Sequence, residues 1–446
     1  MMTIVIVGAG DVGRYIASIL SKEQHNIILI DKDPKILEVA SVNMDIAIRQ
    51  GSGTDWQLLD DLMELSPNLL IALTKEDEVN LVCCSIAKNL GYPRTVARVR
   101  DSRYLNRTRL DFARIFDVDY FIGPELLVAH DILKYMLSPG SLAVENFSNG
   151  SVQMRTFTVP DKWRKFDQPL MELNLPSGVI IGLIYRNKKI IFPHGSDYVH
   201  PGDEITVIGE TEIIAEIHQF FGIPPKTVNS AVIVGGSLTA VNLAKLLENR
   251  EISIRLIEKD YNTCVKLSEQ LPKCTIINHD AADYNFLLAE KIGKADVFAA
   301  CTESDEVNLM VGMVAKQAGC KDVIVILSNT SYTPFVASLG LNYAVSPRIS
   351  AANHILSQVL SGKVTSLVSL YDNQAEIMEI NVSPDSKLVG IPLSELGAFL
   401  PKDFLIAMIQ NRGRVMVADG NKIISPGDSV IVITNPRHLN ELEKIF

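Results

Sequence analysis

The residues best placed to do chemistry stand in the run IVIVGAGDVG, Ile4–Gly13, and in an acid that follows it. Gly8, Gly10 and Gly13 have the spacing G-x-G-x-x-G. After an apolar strand, the first glycine makes a tight turn, the second lets backbone approach a phosphate, and the third lets the next helix pack on the sheet. A helix starting near Asp11, with Ala9 and Val12 in the same loop, aims unpaired N–H groups and partial positive charge at a pyrophosphate. Asp31 lies 18 residues beyond Gly13, at the end of the next apolar run. A carboxylate there accepts both hydroxyls of an adenosine ribose and repels a 2′-phosphate, which favours NAD(H) over NADP(H). The alternative is a tight turn with a solvated aspartate.

Other strand ends supply further candidates, because ligands of open α/β sheets bind there. Ser52 and Gly53, in QGSGTD, are expected to border an adenine, and the Thr74 hydroxyl a ribose or phosphate. Arg98 heads a basic run with Arg100, Arg103, Arg107, Arg109 and Arg114. One arginine turned into the crevice pairs with phosphate, while the others suit a solvated helix face or subunit contacts. Thr74 and its later counterpart Thr302 equally suit helix N-caps.

These residues sit in a chain written twice. VIVGAG at Val5–Gly10 recurs as VIVGGS at Val232–Ser237, and the acid Asp31 as Glu258, both shifted by 227. DEVNL at Asp77–Leu81 recurs at Asp305–Leu309, shifted by 228. HGSDYVHPGDEITVIG from His194 recurs as DGNKIISPGDSVIVI from Asp419, shifted by 225. Four matches in one order at nearly one offset mark a tandem duplication. The second loop keeps Gly235 and Gly236 but has Ser237 and Ala240 where Gly10 and Gly13 stood. With Glu258, His279 and Thr302 it forms a second, weaker candidate nucleotide site.

The elements that must position these groups follow from periodicity. IVIV, IILI, DIAI, LLIAL, TVARV and YFI read as strands, and the segments beginning near Asp11, Pro34, Asp55, Asp77 and Ser102 as helices. That alternation predicts a parallel sheet covered on both faces. A helix over Gly123–Leu137 follows, with Pro124 at its first position. After Ser138-Pro139-Gly140 the pattern turns to β: VQMRTFTV, VIIGLIY, IIF and EITVIG. FGIPPKTVNS, Phe221–Ser230, suits a linker, and the second crossover helix is expected at Pro347–Leu360. The fold class is therefore α/β: two Rossmann-like doubly wound parallel-sheet domains, 1–124 and 228–347, each followed by a small β-rich α+β domain, 144–224 and 365–446.

Composition narrows the function classes. The chain has 446 residues and a formal net charge of −10, which argues against nonspecific nucleic-acid or anionic-lipid binding. Its longest uncharged stretch, Val323–Pro347, holds too many polar residues for a lipid-spanning helix, and the glycine-interrupted opening run is unlike a secretory leader. The six cysteines include no C-x-x-C pair and are expected as small buried apolar residues in a reducing compartment; the eight histidines show no ligand spacing, so no metal is expected. A dehydrogenase needs a proton-transfer group near the hydride carbon. The best candidates, His194 and His200, become Asp419 and Ser425 in the repeat, whereas the PGD turns persist. The duplication preserved turn geometry rather than acid–base chemistry, and no catalytic residue is assigned.

VGAGDVG, Asp31, QGSGTD, LTKEDEVNL, VARVRD, the second DEVNL and the two PGD turns together resemble the TrkA family, the cytosolic regulatory subunits of Trk-type potassium uptake systems. The resemblance spans essentially the whole chain and implies tandem domains of the kind that regulate potassium conductance. It implies a non-enzymatic protein that binds NAD(H), and in related members ATP or ADP. It further implies a ring, a tetramer by family expectation, lying peripherally on the inner face of the membrane through a potassium-translocating partner. Its nucleotide contacts fall on Gly8, Ala9, Gly10, Asp11, Val12, Asp31, Ser52, Gly53, Thr74 and Arg98, and on Gly235, Gly236, Ser237, Glu258, His279 and Thr302. An NAD-dependent oxidoreductase and a nucleotide sensor of another transporter are the alternatives.

Overall fold

Thr3–Val7 carries four consecutive buried residues, Ile4–Val7, and becomes the central strand of a six-stranded sheet. A strand covered on both faces needs such a continuous apolar run. The strands lie in the order third, second, first, fourth, fifth, sixth, and all are parallel. Val7 registers with Ile30 on one side and with Ala72 on the other. Three strands thus end at one level, and Gly8, Asp31 and Leu73-Thr74 emerge along the same edge. The first strand of the second half, Ser230–Val234, repeats this arrangement: Val234 registers with Ile257 and Ala300 in a sheet of the same order.

The structure is a computed structural model describing residues 2–22, 24–105, 109–138, 141–223, 227–359, 364–371, 374–398, 400–438, 441–442 and 445–446. Arg107, Pro139, Gly140, the linker prolines Pro224 and Pro225, and Leu360 lie outside the described residues. The chain divides into two units. One comprises 1–133 and 229–355, the other 134–228 and 356–446.

In the first unit, each sheet has its own apolar core. Val5, Ile30, Leu70, Leu81, Cys83 and Tyr92 belong to one, and Val232, Ile257, Phe298, Val311, Val325 and Leu341 to the other. Five cysteines are buried as expected; Cys274 is only half-buried. Burial pushes the Cys83 and Cys274 thiols up to about 12, so neither is a thiolate at neutral pH. Helices form at Asp11–Lys22, Pro34–Asn43 and Asp77–Leu90, as the pattern implied. The segment from Ser102 departs from expectation. It makes a single tight turn over Ser102–Leu105 and a four-residue helix, Phe112–Ile115, capped by the Asp111 carboxylate. The ring of Tyr104 packs edge-on against Phe112 at 5.0 Å, a contact between the two short turns.

The second unit contains two five-stranded antiparallel sheets. Strand Ser141–Phe147 escapes the sequence pattern because it is an edge strand; Glu145 faces Lys134, 2.7 Å away. Helix Thr211–Phe220, unmarked in the sequence, buries Ile214 and Ile217. Phe147, Met154, Leu183 and Ile208 of one sheet share a core with Ile377, Met408 and Ile433 of the other. A Cβ on Gly182 would stand 2.2 Å from Ile433 Cδ1, so a side chain there would have to displace Ile433. The PGD turns close each sheet. Asp203, 2% exposed, accepts from His200 N at 2.7 Å and from Arg186 Nε and Nη2 at 2.7 and 2.6 Å. Asp428 accepts from Ser425 N at 2.9 Å and Asn411 Nδ2 at 2.5 Å. The turn was retained in both copies because its carboxylate satisfies backbone and side-chain donors together.

Removing that carboxylate strands the donors. Asp203→Ala is expected to cost about 3 kcal/mol, read as a lowered urea midpoint for the full chain. An unchanged midpoint contradicts the role assigned to the turn.

Candidate functional site

The sheet edge in the first half opens into a crevice of about 580 Å³. Gly8 has φ +103°, and a Cβ there would lie 2.9 Å from the Leu73 carbonyl carbon and the Thr74 nitrogen. The turn therefore requires glycine. At Gly13 a Cβ would reach 1.9 Å from Gly8 O, so helix Asp11–Lys22 packs on the turn only without a side chain. At Gly10 a Cβ would meet nothing within 4 Å. That space borders the crevice and leaves the helix N-terminus open. Asp31 is held by both oxygens: Oδ2 accepts from Ala9 N at 2.6 Å and Oδ1 from Asp33 N at 3.0 Å. Two backbone donors thus fix the carboxylate at the rim, with its remaining lone pairs free for hydroxyl donors.

Gly8, Gly10, Asp11, Val12, Asp31, Gly53, Thr74 and Arg98 all line this crevice. Ala9 and Ser52 do not. Ala9 is buried and contributes its N–H to Asp31, while the Ser52 hydroxyl pairs with Thr54 at 2.9 Å. Gly53 abuts Val7, whose Cγ1 would lie 2.4 Å from a Cβ at that position.

Thr74 and Thr302 are not the helix N-caps; those positions belong to Glu76 and Ser304. The Thr74 hydroxyl instead donates to Asn80 Oδ1 at 2.7 Å, which also accepts Thr74 N at 2.9 Å. Asn80 Nδ2 donates to Thr74 O and to Arg98 O at 3.0 and 2.9 Å. Asp77 accepts the N–H groups of Arg100 and Asp101. Asn308 and Asp305 repeat every one of these roles, toward Thr302, Ile326, Ser328 and Asn329. The repeated DEVNL is therefore a clamp joining the ends of the fourth and fifth strands. Its identity in both copies was the available signal.

The basic run is resolved by geometry. Arg98 Nη2 and Arg100 Nε both donate to Glu125 Oε1, at 2.8 and 3.2 Å, and all three residues line the crevice. Arg103 is exposed and pairs with Asp101. The sequence expected one inward arginine; among the described residues of the run two, Arg98 and Arg100, line the crevice. Glu125, Lys32 and Lys75 were not singled out, nor was the second half's share: Ser237, Thr302, Ser328 and Arg348 line the same crevice. Arg348 Nη2 lies 3.3 Å from Asp11 Oδ1. No local pattern announces a residue more than three hundred positions away.

The second crevice is also about 580 Å³ and is lined by Gly235, Gly236, Ser237, Glu258, His279 and Thr302. Gly235 has φ +99°, like Gly8. Ser237 changes the helix N-terminus: its hydroxyl accepts from Ala240 N at 3.2 Å and donates to Cys301 O at 2.5 Å. The Ala240 amide is thus satisfied by a side chain that Gly10 cannot supply in the first half. The His279 ring stacks on Phe286 at 3.9 Å, and its Nε2 lies 3.1 Å from Asp283 Oδ2. That hydrogen bond holds the Asp283 carboxyl below the usual carboxylate range.

Among the described residues no helix is long and apolar enough to cross a membrane. Residues 4–122 and 231–347 each match the TrkA-N domain, and 154–222 and 377–446 the TrkA-C domain. The chain is 32% identical over 453 residues to Trk system potassium uptake protein TrkA homolog 2 of Methanosarcina mazei, covering 100% of both. Among solved structures it is similar to the GsuK channel bound to NAD, with TM-score 0.62 and 15% identity over 100% of this chain and 78% of the other. It is also similar to GsuK bound to ADP, with TM-score 0.51 and 13% identity over 81% of this chain and 69% of the other. At those identities the likeness shows the fold.

The clamp generates a test. Asn80→Ala and Asn308→Ala each leave buried backbone groups unpaired and are expected to cost about 3 kcal/mol. Thermal unfolding that does not distinguish Asn80→Ala from the parent chain removes the clamp from the account.

Proposed function

The chain belongs to the TrkA family, and from that premise we propose that it is the nucleotide-sensing regulatory subunit of a Trk-type potassium uptake system. It acts at the cytosolic face of the membrane through a potassium-translocating partner, and assembles with further copies of itself into a ring. The nucleotide-binding domains are 1–124 and 228–347, and the small domains 144–224 and 365–446. The observation that supports this reading best is the pair of crevices at the carboxyl ends of duplicated parallel sheets. Each has a glycine turn and a rim carboxylate, Asp31 or Glu258, anchored by backbone N–H groups.

NAD(H) suits the first crevice. The open space beside Gly10 admits a pyrophosphate to the helix N-terminus, and Asp31 takes the ribose hydroxyls. Val12 and Gly53 supply apolar and backbone walls, and Arg98 the positive charge. Ala9 and Ser52 act from behind, Ala9 by orienting Asp31. In the second crevice Glu258 serves the ribose, while the Ser237 hydroxyl competes with ligand for the helix amide. Binding there is weaker. ADP and ATP share the adenosine and diphosphate portion and are ligands of the same site.

No acid–base residue is assigned a catalytic role. His194 and His200 belong to the other unit, where their N–H groups serve the turn carboxylates of Asp197 and Asp203. Signalling replaces turnover. Helices Pro124–Leu137 and Pro347–Val359 each carry the chain from one unit to the other, so a ligand that prefers one crevice geometry biases the path between them. A ligand shifts such an equilibrium only by its differential affinity for the two states. About 1 kcal/mol per site, summed around a ring, moves a population of roughly 1:99 toward parity.

Potassium flux through the reconstituted pair should change on adding NADH, NAD, ADP or ATP. Flux that ignores all four while binding is intact overturns the gating reading, and NADH production from NAD with a hydroxy acid would replace it with catalysis. Asp31→Ala should weaken NAD binding at least tenfold by calorimetry, because charge-assisted hydrogen bonds are lost. Ser237→Gly should tighten binding in the second crevice by severalfold; an unaltered affinity there contradicts the competition assigned to that hydroxyl.

A further inference from the structure

Three guanidinium groups, those of Arg98, Arg100 and Arg348, line the first crevice and, with Arg14 beside them, converge on two carboxylate oxygens. Arg98 and Arg100 share Glu125 Oε1. Arg14 and Arg348 share Asp11 Oδ1, at 2.9 and 3.3 Å. The Nε atoms of Arg98 and Arg348 are buried and have no hydrogen-bond partner. Glu125 Oε2 is likewise buried without a partner, so this cluster holds unpaired polar atoms of both signs, which are costly to bury. The second-half counterparts of Arg98 and Arg100 are Ile326 and Ser328. Arg348 is itself the counterpart of Glu125, each following the proline that starts its helix. Where the first half carries the anion Glu125, the second half thus carries a cation, and that cation lines the first half's crevice.

Resting on the nucleotide reading above, we propose that Arg348 is a specificity-determining residue of the first crevice, binding the terminal phosphate of a nucleoside polyphosphate by exchanging Asp11 for it. The Asp11–Arg348 contact is a poor competitor. Asp11 is 54% exposed, and an exposed single-contact ion pair is worth little. A terminal phosphate offers the planar fork two oxygens and is the stronger partner. A dinucleotide has its diphosphate esterified at both ends and presents no such group. NAD therefore depends on the helix N-terminus and Asp31, whereas ADP or ATP also requires Arg348. The same exchange releases Asp11, at the start of helix Asp11–Lys22, from the second half's helix, so the two ligand classes leave the contact between the halves in different states.

Calorimetry on the full chain tests this, in a Glu258→Ala background that removes the second crevice's ribose acceptor. Arg348→Ala should weaken ADP about tenfold and NAD less than about threefold, and it should flatten the salt dependence of ADP binding. Arg348→Lys, which keeps charge without the fork, should recover part of the ADP affinity. Asp11→Asn, which leaves Arg348 in place, should tighten ADP and covers the case in which Arg348→Ala does not fold. Equal losses for ADP and NAD, or no loss for either, overturn the proposal while leaving the nucleotide site standing. If the Glu258→Ala chain with Arg348 intact binds neither ligand, the reading of the crevice as a nucleotide site falls, and this inference with it.

Discussion

Each parallel sheet depends on one buried asparagine. Asn80 is fully buried and uses both ends of its amide, accepting from Thr74 and donating to the carbonyls of Thr74 and Arg98. Where parallel strands end, their last backbone groups lose ladder partners and must be satisfied otherwise. A side-chain amide has an acceptor and two donors in one plane, which suits it to pair with N–H and C=O groups at once. Asp77, one helical turn earlier, completes the arrangement by accepting the next two N–H groups. The loop that faces the crevice is thereby fixed from behind, and Thr74 and Arg98 point where they do because Asn80 holds their carbonyls.

Against this shared frame, the two halves differ where ligand charge would be read. The turn glycine, the rim acid and the asparagine clamp recur in both. The helix N-terminus is open at Gly10 and closed by a hydroxyl at Ser237. Arginines at positions 98 and 100 become Ile326 and Ser328, and Glu125 becomes Arg348. The turn glycine, the rim acid and the clamp were kept after duplication, whereas Gly10, Gly13, Arg98, Arg100 and Glu125 diverged. A duplicated protein with two inequivalent crevices has the means to weigh two ligands rather than count one twice.

The second unit follows a different packing logic. Its two antiparallel sheets share an apolar core, and at Gly182 the Ile433 side chain occupies the space a Cβ would take. The Glu379 carboxylate of one sheet accepts from Ser148 N and Oγ of the other and from Ser429 Oγ of its own. A buried carboxylate spanning two sheets fixes their register, because displacement would leave the charge unpaired.

The sequence by itself determined the two parallel sheets, the turn glycines and the anchored acids. Each rests on local periodicity or on a backbone conformation that only glycine adopts, and the exact recurrence of DEVNL marked the clamp before its role was visible. The edge strand Ser141–Phe147 and the broken helix after Ser102 were not legible. The first is held by antiparallel pairing with strand Val152–Thr158, and the Tyr104–Phe112 contact joins the turns of the second, so neither shows an apolar period. Only the tertiary structure decided that Ala9 and Ser52 are not among the crevice-lining residues, that two arginines share Glu125, and that Arg348 enters from the other half. Those facts depend on where distant side chains converge, and electrostatic partnership across hundreds of residues leaves no period in a chain.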